Sequence, residues 1–158
     1  MTPSCGGPVL RGYGVSAPKR ELARLIIHVD GASRNNPGPA AFGYVVRDHR
    51  GREIEAYGEF IGEATNNVAE YRGMIAAARR AVELRTSAAE FRVDSELLAR
   101  QVAGKYRVKA RHLKPLFAQL VAALHKIPQW RVRHVPRESN RAADRLANRA
   151  LDARGVVT

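Results

Sequence analysis

The chain contains very little cysteine and no long apolar run. Cys5 is the single cysteine among 158 residues, so neither a disulfide framework nor a cysteine-based zinc site can form, which fits a reducing compartment. No apolar stretch approaches the roughly 20 residues of a membrane span. Residues 1–20 lack the continuous apolar segment of a secretory signal, although their basic, acid-free composition leaves a transit peptide as an alternative to a disordered tail. We therefore expect one cytoplasmic domain that does not enter a membrane.

Acidic residues are scarce in the C-terminal part of the chain. Residues 1–99 contain 13 Lys and Arg against 12 Asp and Glu, whereas residues 100–158 contain 14 against 3. The formal net charge of +12 therefore arises mainly in the C-terminal part. A solvated surface normally mixes both signs, so this part is expected to face a polyanion. A general arginine bias of the proteome is the alternative explanation.

Turn residues and apolar periodicity divide the chain into elements of an α/β domain. Residues 1–22 are predicted as a flexible N-terminal extension, residues 23–153 as the domain and residues 154–158 as a C-terminal tail. The fold class is a five-stranded mixed sheet flanked by helices, with the first three strands antiparallel. The predicted strands are 22–30, 42–47, 53–61, 90–94 and 130–135, and the predicted helices are 66–82, 96–102, 112–125 and 140–151.

Four carboxylates stand in local contexts that present an acid. Asp30 ends a buried apolar strand and precedes Gly31, Asp94 ends a second strand, and Glu70 and Asp144 lie on predicted helices. A carboxylate at a buried strand end is costly unless a positive group neutralises it. Four such acids in a basic protein therefore suggest a pocket for divalent metal within a phosphate-seeking surface.

Each acid also has a simpler explanation when it is considered alone. Asp94 could cap the helix that follows it, and Glu70 could complement the dipole of its own helix. Asp144 could pair with an arginine on the same helix. Asp30 is hardest to explain in this way, because it directly follows a buried strand.

The acids also lie within motifs that resemble type 1 ribonuclease H, in the order and approximate spacing of that family. The resemblance extends from Leu25 to about Leu151. It implies a ribonuclease H-like fold and an endonuclease that cuts the RNA strand of RNA/DNA hybrids, leaving 5′-phosphate and 3′-hydroxyl ends. The motifs are Val29–Ser33 with Asn36–Pro39, Thr65–Asn67 with Glu70, Val93–Ser95, and Asn140 with Ala143–Asp144.

The same resemblance assigns catalysis and metal binding to four residues, which are Asp30, Glu70, Asp94 and Asp144. The expected cofactor is Mg²⁺, with Mn²⁺ as a substitute and two ions per site when substrate is bound. In such hydrolysis, acids hold two cations about 3.5–4 Å apart, where one activates water and the other stabilises the leaving oxygen. Magnesium keeps several of its waters, so few protein carboxylates suffice.

Short polar residues near the acids are the predicted contacts with the hybrid. They resemble the family's minor-groove contacts, which distinguish RNA from DNA through the 2′-hydroxyl. Ordinary turn and cap chemistry would also explain them, and both explanations can hold together. The predicted substrate-binding residues in this group are Gly31, Ser33, Asn36, Asn66 and Asn67.

The chain departs from many type 1 enzymes, because it has no room for their basic protrusion after the third acid's helix. It therefore resembles the compact prokaryotic subgroup. The nearest replacements for substrate binding are Lys105, Lys109 and Arg111, although a solvated basic loop is an equal alternative. An auxiliary residue is expected before the fourth acid. Arg137, as a group that orients phosphate, is favoured over His134, which falls within a predicted strand.

Three other functions remain open from the sequence. One is a non-catalytic module that binds hybrid or double-stranded RNA on the same scaffold. Another is a related nuclease or transposase that acts on DNA, and the last is the ribonuclease domain of a reverse transcriptase. The intact set of acids argues against a pure binder, because such a protein would gain by losing charges that repel phosphate. We expect a monomer whose partner is RNA/DNA hybrid, with double-stranded RNA as a further candidate.

Overall fold

A mixed β-sheet forms the centre of the structure, a computed structural model that describes residues 22–158. The described part of the chain also contains four α-helices and two short 3₁₀ turns, at 111–113 and 137–140. In chain order the elements are β1 (Arg24–Ser33), β2 (Gly38–Asp48), β3 (Glu53–Ala64), α1 (Asn66–Glu83), β4 (Ala88–Val93), α2 (Glu96–Val102), α3 (Lys114–Leu124), β5 (Gln129–His134), α4 (Arg141–Ala153) and β6 (Val156–Val157).

The strand order in the sheet is β5-β4-β1-β2-β3-β6. The first three strands form the predicted antiparallel meander, while β4 and β5 join β1 in parallel. The prediction of five strands is wrong, because Val156 and Val157 pair with β3 as a sixth. A strand of two residues is too short to leave an alternating pattern in the sequence. The predicted N-terminal extension lies outside the described residues apart from Leu22.

One face of the sheet holds the main hydrophobic core. Strand β1 directs Leu25, Ile27 and Val29 to this face, because alternate residues of a strand point the same way. Helices α1 and α3 pack on this side, and α1 contributes the fully buried Met74. Helix α1 begins at Asn66 as predicted, and Thr65 is its N-cap, since its Oγ1 accepts a hydrogen bond of 3.2 Å from the N–H of Val68.

Helix α4 covers part of the opposite face, where it packs on β1, β2 and β3. The helix backbone approaches the sheet very closely at Gly43, where a Cβ atom would lie 2.6 Å from the carbonyl oxygen of Ala143. A larger residue at Gly43 would push α4, and the acid that it carries, away from the sheet. No helix within residues 22–158 is both long and apolar enough to cross a membrane.

Candidate active site

Three of the four predicted acids meet at one end of the sheet. Asp30, Glu70 and Asp94 each offer a carboxylate oxygen, and these oxygens all lie within 4.8 Å of one another. Parallel pairing of β1 with β4 sets Val29 beside Val93, which brings the two aspartates that follow these residues side by side. Helix α1 supplies Glu70 from its fifth residue.

Gly31 allows α1 to come this close. A Cβ atom at Gly31 would lie 2.4 Å from the backbone nitrogen of Glu70 and 2.5 Å from the carbonyl carbon of Ala69. Only glycine leaves room for that approach. The backbone N–H of Gly31 also favours the ionised Glu70 carboxylate and acts to lower the pKa of that group. Gly31 was predicted to bind substrate, and the structure gives it an additional role in holding Glu70 against β1.

The cluster is electrostatically unsatisfied without a cation. Burial, then the charges of Glu70 and Asp94, and then a hydrogen bond and charge interaction with Asp144 raise the pKa of Asp30 to about 9. Burial and the charge of Asp94 raise the pKa of Glu70 to about 8, although the Gly31 N–H and the charge of Arg137 act in the opposite direction. Neighbouring carboxylates cannot all ionise cheaply in a buried site, so this arrangement favours a positive ligand.

Asp144 lies beside this group rather than within it. It is exposed on the first turn of α4 and comes close enough to hydrogen bond with Asp30. Asn148 donates to the Asp144 carboxylate at 3.2 Å and to its backbone carbonyl at 3.0 Å. The fourth acid is therefore the most accessible of the set and borders the side of the cluster formed by Asp30.

Asn140 is a site residue that the sequence motif contained but to which we assigned no role. It is 1% exposed, and its Nδ2 donates a hydrogen bond of 2.8 Å to the carbonyl oxygen of Val29. This bond joins the residue before Asp30 in β1 to the residue that precedes α4, and so fixes Asp30 relative to Asp144. The Asn140 Oδ1 is buried and accepts no hydrogen bond from the described residues.

The predicted polar contacts with substrate lie together at the start of α1. Asn66 Oδ1 accepts a hydrogen bond of 2.7 Å from the N–H of Ser33, and the N–H of Asn66 donates to Asn36 Oδ1 at 2.9 Å. The β1–β2 loop is thereby fixed to the helix that carries Glu70. Asn67 is exposed in the first turn of α1. These residues therefore do form turn and cap hydrogen bonds, as the simpler explanation expected. The same bonds order a polar edge beside the acids, formed by Ser33, Asn36, Asn66 and Asn67.

The predicted basic residues occupy two separate places. Lys105, Lys109 and Arg111 are exposed along the short connection between α2 and α3, where no inserted protrusion is present. Arg137 lies in the 3₁₀ turn before α4 and lines an open concavity with Asp144. His134 is the exposed last residue of β5. Of the two auxiliary candidates, Arg137 thus lies in a turn and His134 in a strand, as predicted for His134.

The donor set fits a hard divalent cation. All of the clustered ligand atoms are carboxylate oxygens, which Mg²⁺ and Mn²⁺ prefer, and no Cys or His belongs to the group. The raised pKa values of Asp30 and Glu70 report negative charge that a cation would compensate.

Comparison with known proteins agrees with the family resemblance of the sequence motifs. A family model described as "Reverse transcriptase-like" matches residues 28–150. The chain is 44% identical over 132 residues to the Bifunctional protein Rv2228c of Mycobacterium tuberculosis, covering 82% of this chain and 36% of that protein. It is 40% identical over 129 residues to Ribonuclease HI of Halobacterium salinarum, covering 82% of this chain and 65% of the relative. The chain thus spans about a third of the length of the mycobacterial relative.

Solved structures agree in fold and extent. The crystal structure of RNase H1 from Halobacterium salinarum superposes with a TM-score of 0.80 at 40% identity, covering 82% of this chain and 98% of that one. The structure of LC11-RNase H1 in complex with RNA/DNA hybrid gives a TM-score of 0.77 at 39% identity, with coverage of 82% and 98%. The chain belongs to the type 1 ribonuclease H family, as its sequence motifs, its sheet topology, its acid cluster and these matches together show.

Proposed function

We propose that the protein is an endoribonuclease that hydrolyses the RNA strand of RNA/DNA hybrids and leaves 5′-phosphate and 3′-hydroxyl ends. The observation that carries the proposal is the convergence of Asp30, Glu70 and Asp94, whose oxygens lie within 4.8 Å of one another. A protein that only binds nucleic acid gains nothing from concentrated negative charge facing phosphate. A metal-dependent phosphodiesterase requires that charge.

Two divalent ions, Mg²⁺ or Mn²⁺, would supply activation of water and stabilisation of the leaving 3′ oxygen when bound. Asp30, Glu70, Asp94 and Asp144 would hold them. Asp30 is central because it interacts with the other three acids from within β1, while Gly31 leaves room for α1 to bring Glu70 against that strand. The exposed Asp144 lies where the site opens to solvent, which suits a ligand that engages when substrate arrives.

Substrate choice is assigned to the polar edge beside the cluster. Ser33, Asn36, Asn66 and Asn67 present short polar groups on a loop and helix end that hydrogen bonds hold together. Such groups can read 2′-hydroxyls in a minor groove. Strand selection would then result from the position of this edge next to the acids, because the strand that it contacts is the one brought to the metal site.

A cleavage assay tests the proposal directly. Labelled RNA/DNA hybrid, double-stranded RNA and double-stranded DNA of one sequence are incubated with the protein in Mg²⁺, in Mn²⁺ and in EDTA. We expect metal-dependent cleavage of the RNA strand of the hybrid, with products that a phosphatase but not a 3′-phosphate-specific enzyme alters. Cleavage of double-stranded DNA alone would favour the DNA nuclease. Tight hybrid binding without cleavage in either metal would favour the non-catalytic module.

Replacement of Arg137 by Ala should reduce kcat more than replacement of His134. Arg137 shares a concavity with Asp144, and its charge already acts on Glu70. A guanidinium can orient a phosphate through two hydrogen bonds, which we expect to be worth about tenfold to a hundredfold in kcat. Both variants are compared across pH 5–9. A larger loss for His134→Ala, with disappearance of an activity limb near the usual histidine pKa of about 6.5, would reverse the assignment.

Simultaneous replacement of Lys105, Lys109 and Arg111 by Ala should weaken hybrid binding in a salt-dependent way. Each lost phosphate contact is expected to make the slope of log K against log salt less negative by about 0.9. KM should rise more than kcat falls, because these exposed residues belong to the connection between α2 and α3 and not to the acid cluster. An unchanged salt dependence would place the substrate path elsewhere on the protein.

A further inference from the structure

Half of one sheet face is not covered by a helix. Helix α4 packs on β1, β2 and β3, and its main contacts do not extend to β4 and β5. On the opposite face, Phe91 and Val93 of β4 are buried in the main core. Their neighbours Glu90 and Arg92 therefore point to the uncovered side, together with the alternate residues of β5.

This uncovered side carries a concentration of arginine, which we call the arginine face and define as Arg47, Arg92, Arg131 and Arg133. Glu90 lies among them, and Glu53 stands opposite Arg47 in the pairing of β2 with β3. The Glu90 carboxylate is 2.6 Å from Arg92 Nε, 2.9 Å from Arg131 Nε and 3.6 Å from Arg133 Nη1. Burial opposes ionisation of Glu90, but these arginines keep its pKa below the usual value. Glu90 is thus ionised at neutral pH.

Two carboxylates cannot neutralise four guanidinium groups. The arginine face therefore has a surplus of two positive charges. The side chains of Arg131 and Arg133 are 67% and 53% exposed, so most of their donors are free to contact an anion from solvent.

The strand register places the arginine face in line with the acid cluster. Along β1 the residues on this side include His28 and then Asp30, and along β4 they are Glu90, Arg92 and then Asp94. Arg133 lies opposite Arg92, and Arg131 opposite Glu90. Two residues along β4 separate Asp94 from the level of Arg92 and Arg133, and four residues separate it from the level of Arg131. At about 3.3 Å per residue, these two arginine rows lie about 7 and 13 Å from the acids. A duplex rises about 3.4 Å per nucleotide along its axis, so the rows cover roughly two to four nucleotides beyond the cluster.

A concavity of about 890 Å³ continues this surface toward the amino ends of β1 and β4, with Glu90, Arg92 and Arg131 in its lining. The surplus positive charge of this surface favours a polyanion. Because this surface is continuous with the acid cluster, we take the polyanion to be the nucleic acid substrate.

We propose that the arginine face binds the phosphate backbone of the nucleic acid on one side of the cleavage site, so that the substrate extends from the acid cluster along β4 and β5 toward their amino ends. This inference rests on the proposed function for the identity of its ligand. It assigns substrate binding to residues of the open sheet, in a chain that lacks the inserted basic protrusion. Arg131 and Arg133 are the principal contacts, because their side chains are more exposed than that of Arg92.

The test compares two double variants with the same change in charge. Arg131→Ala/Arg133→Ala removes the exposed pair, and Arg79→Ala/Lys126→Ala removes two cations that line a groove on the helical side. Binding of a fluorescent RNA/DNA hybrid is measured in EDTA over a range of salt concentrations. We expect the first variant to bind at least about tenfold more weakly at low salt and to have a salt slope less negative by about 1–2, while the control changes little.

Three further comparisons make the result decisive. Arg131→Lys/Arg133→Lys should restore most of the salt slope, because phosphate contacts need charge more than fork geometry. With a hybrid shortened on the side that extends along β4 and β5, wild type and the Ala variant should bind equally. kcat at saturating hybrid should fall far less than affinity. Equal salt slopes for the Ala variant and the control would overturn the inference.

The binding series is separable from the test of catalysis. Cleavage by the wild type in Mg²⁺ decides whether the proposed activity is correct. Binding in EDTA decides whether the arginine face contacts the hybrid, because cleavage does not enter that measurement. Active wild-type enzyme with unchanged variant binding would contradict this inference alone.

Discussion

Asp30→Asn and, separately, Asp94→Asn are expected to reduce cleavage of the hybrid by about a thousandfold or more while the protein remains folded. A factor of a thousand corresponds to about 4 kcal/mol of transition-state stabilisation, which is in the range expected when a metal site loses a charged ligand. Asp30 lies within β1, which continues to Ser33 and does not end at Asp30 as predicted, and Asp94 directly follows the adjacent β4. Asparagine keeps the volume and one oxygen but removes the charge.

The matched control is Asp152→Asn, on the same protein surface but outside the cluster. Asp152 has a side chain that is 71% exposed and pairs with Arg34 at 2.9 Å. Exposed pairs contribute little to stability, so this variant should keep the activity of the wild type. Single-turnover cleavage rates and circular dichroism are measured for all three variants. Retention of near-wild-type turnover by either cluster variant would show that the assigned metal ligands are wrong.

The sequence was sufficient to predict most of the fold, because the relevant signals are local. Thr65 and Ser95 are caps whose side chains accept the N–H three residues later, and both helices begin where predicted. The apolar run of β1 and the turn at Asp48 also produce clear patterns. The sixth strand depends on pairing between Val156–Val157 and β3, which is long-range and leaves no local pattern.

The candidate site was predicted as a set of residue types, but its internal organisation was not. Asn140 ties Val29 to the turn before α4 through one buried hydrogen bond, and the motif alone gives no sign of that partner. The close approach at Gly31 likewise depends on where α1 crosses β1. The arginine face was missed for a related reason. Arg92, Arg131 and Arg133 are separated in the chain and become neighbours only through parallel pairing of β4 and β5.

The last prediction concerns the stability of the metal-free protein, which should decrease as the pH rises from about 7 to 9. Burial and neighbouring acids raise the pKa of Asp30 to about 9 and that of Glu70 to about 8. In the unfolded chain both groups titrate near pH 4. Between these values the folded protein holds protons that the unfolded chain has released, so stability is complete below about pH 4 and falls as the pH rises through the folded values.

The pH range is chosen to separate this effect from that of His28. Burial and nearby arginines lower the pKa of His28 to about 4. The unfolded chain therefore binds more protons than the folded protein between about pH 4 and 6.5, and His28 contributes stability that increases with pH over that range. Its contribution is constant above about pH 7. A decrease between pH 7 and 9 therefore reports the acid cluster.

Thermal and urea unfolding of wild type and Asp30→Asn in EDTA, at pH 7 and at pH 9, measure the effect. For wild type we expect a loss on the order of 2 kcal/mol across this range, equivalent to several degrees in Tm. Asp30→Asn should lose about half as much and should exceed wild type in stability at pH 9, because it removes one of the mutually repelling charges. Mg²⁺ should restore wild type more at pH 9 than at pH 7, since the ion binds the ionised acids. The same variant should gain less from Mg²⁺, because one ligand has lost its charge. Equal stability of wild type at the two pH values in EDTA, together with no response to Mg²⁺, would mean that the three carboxylates do not form one coupled cation site.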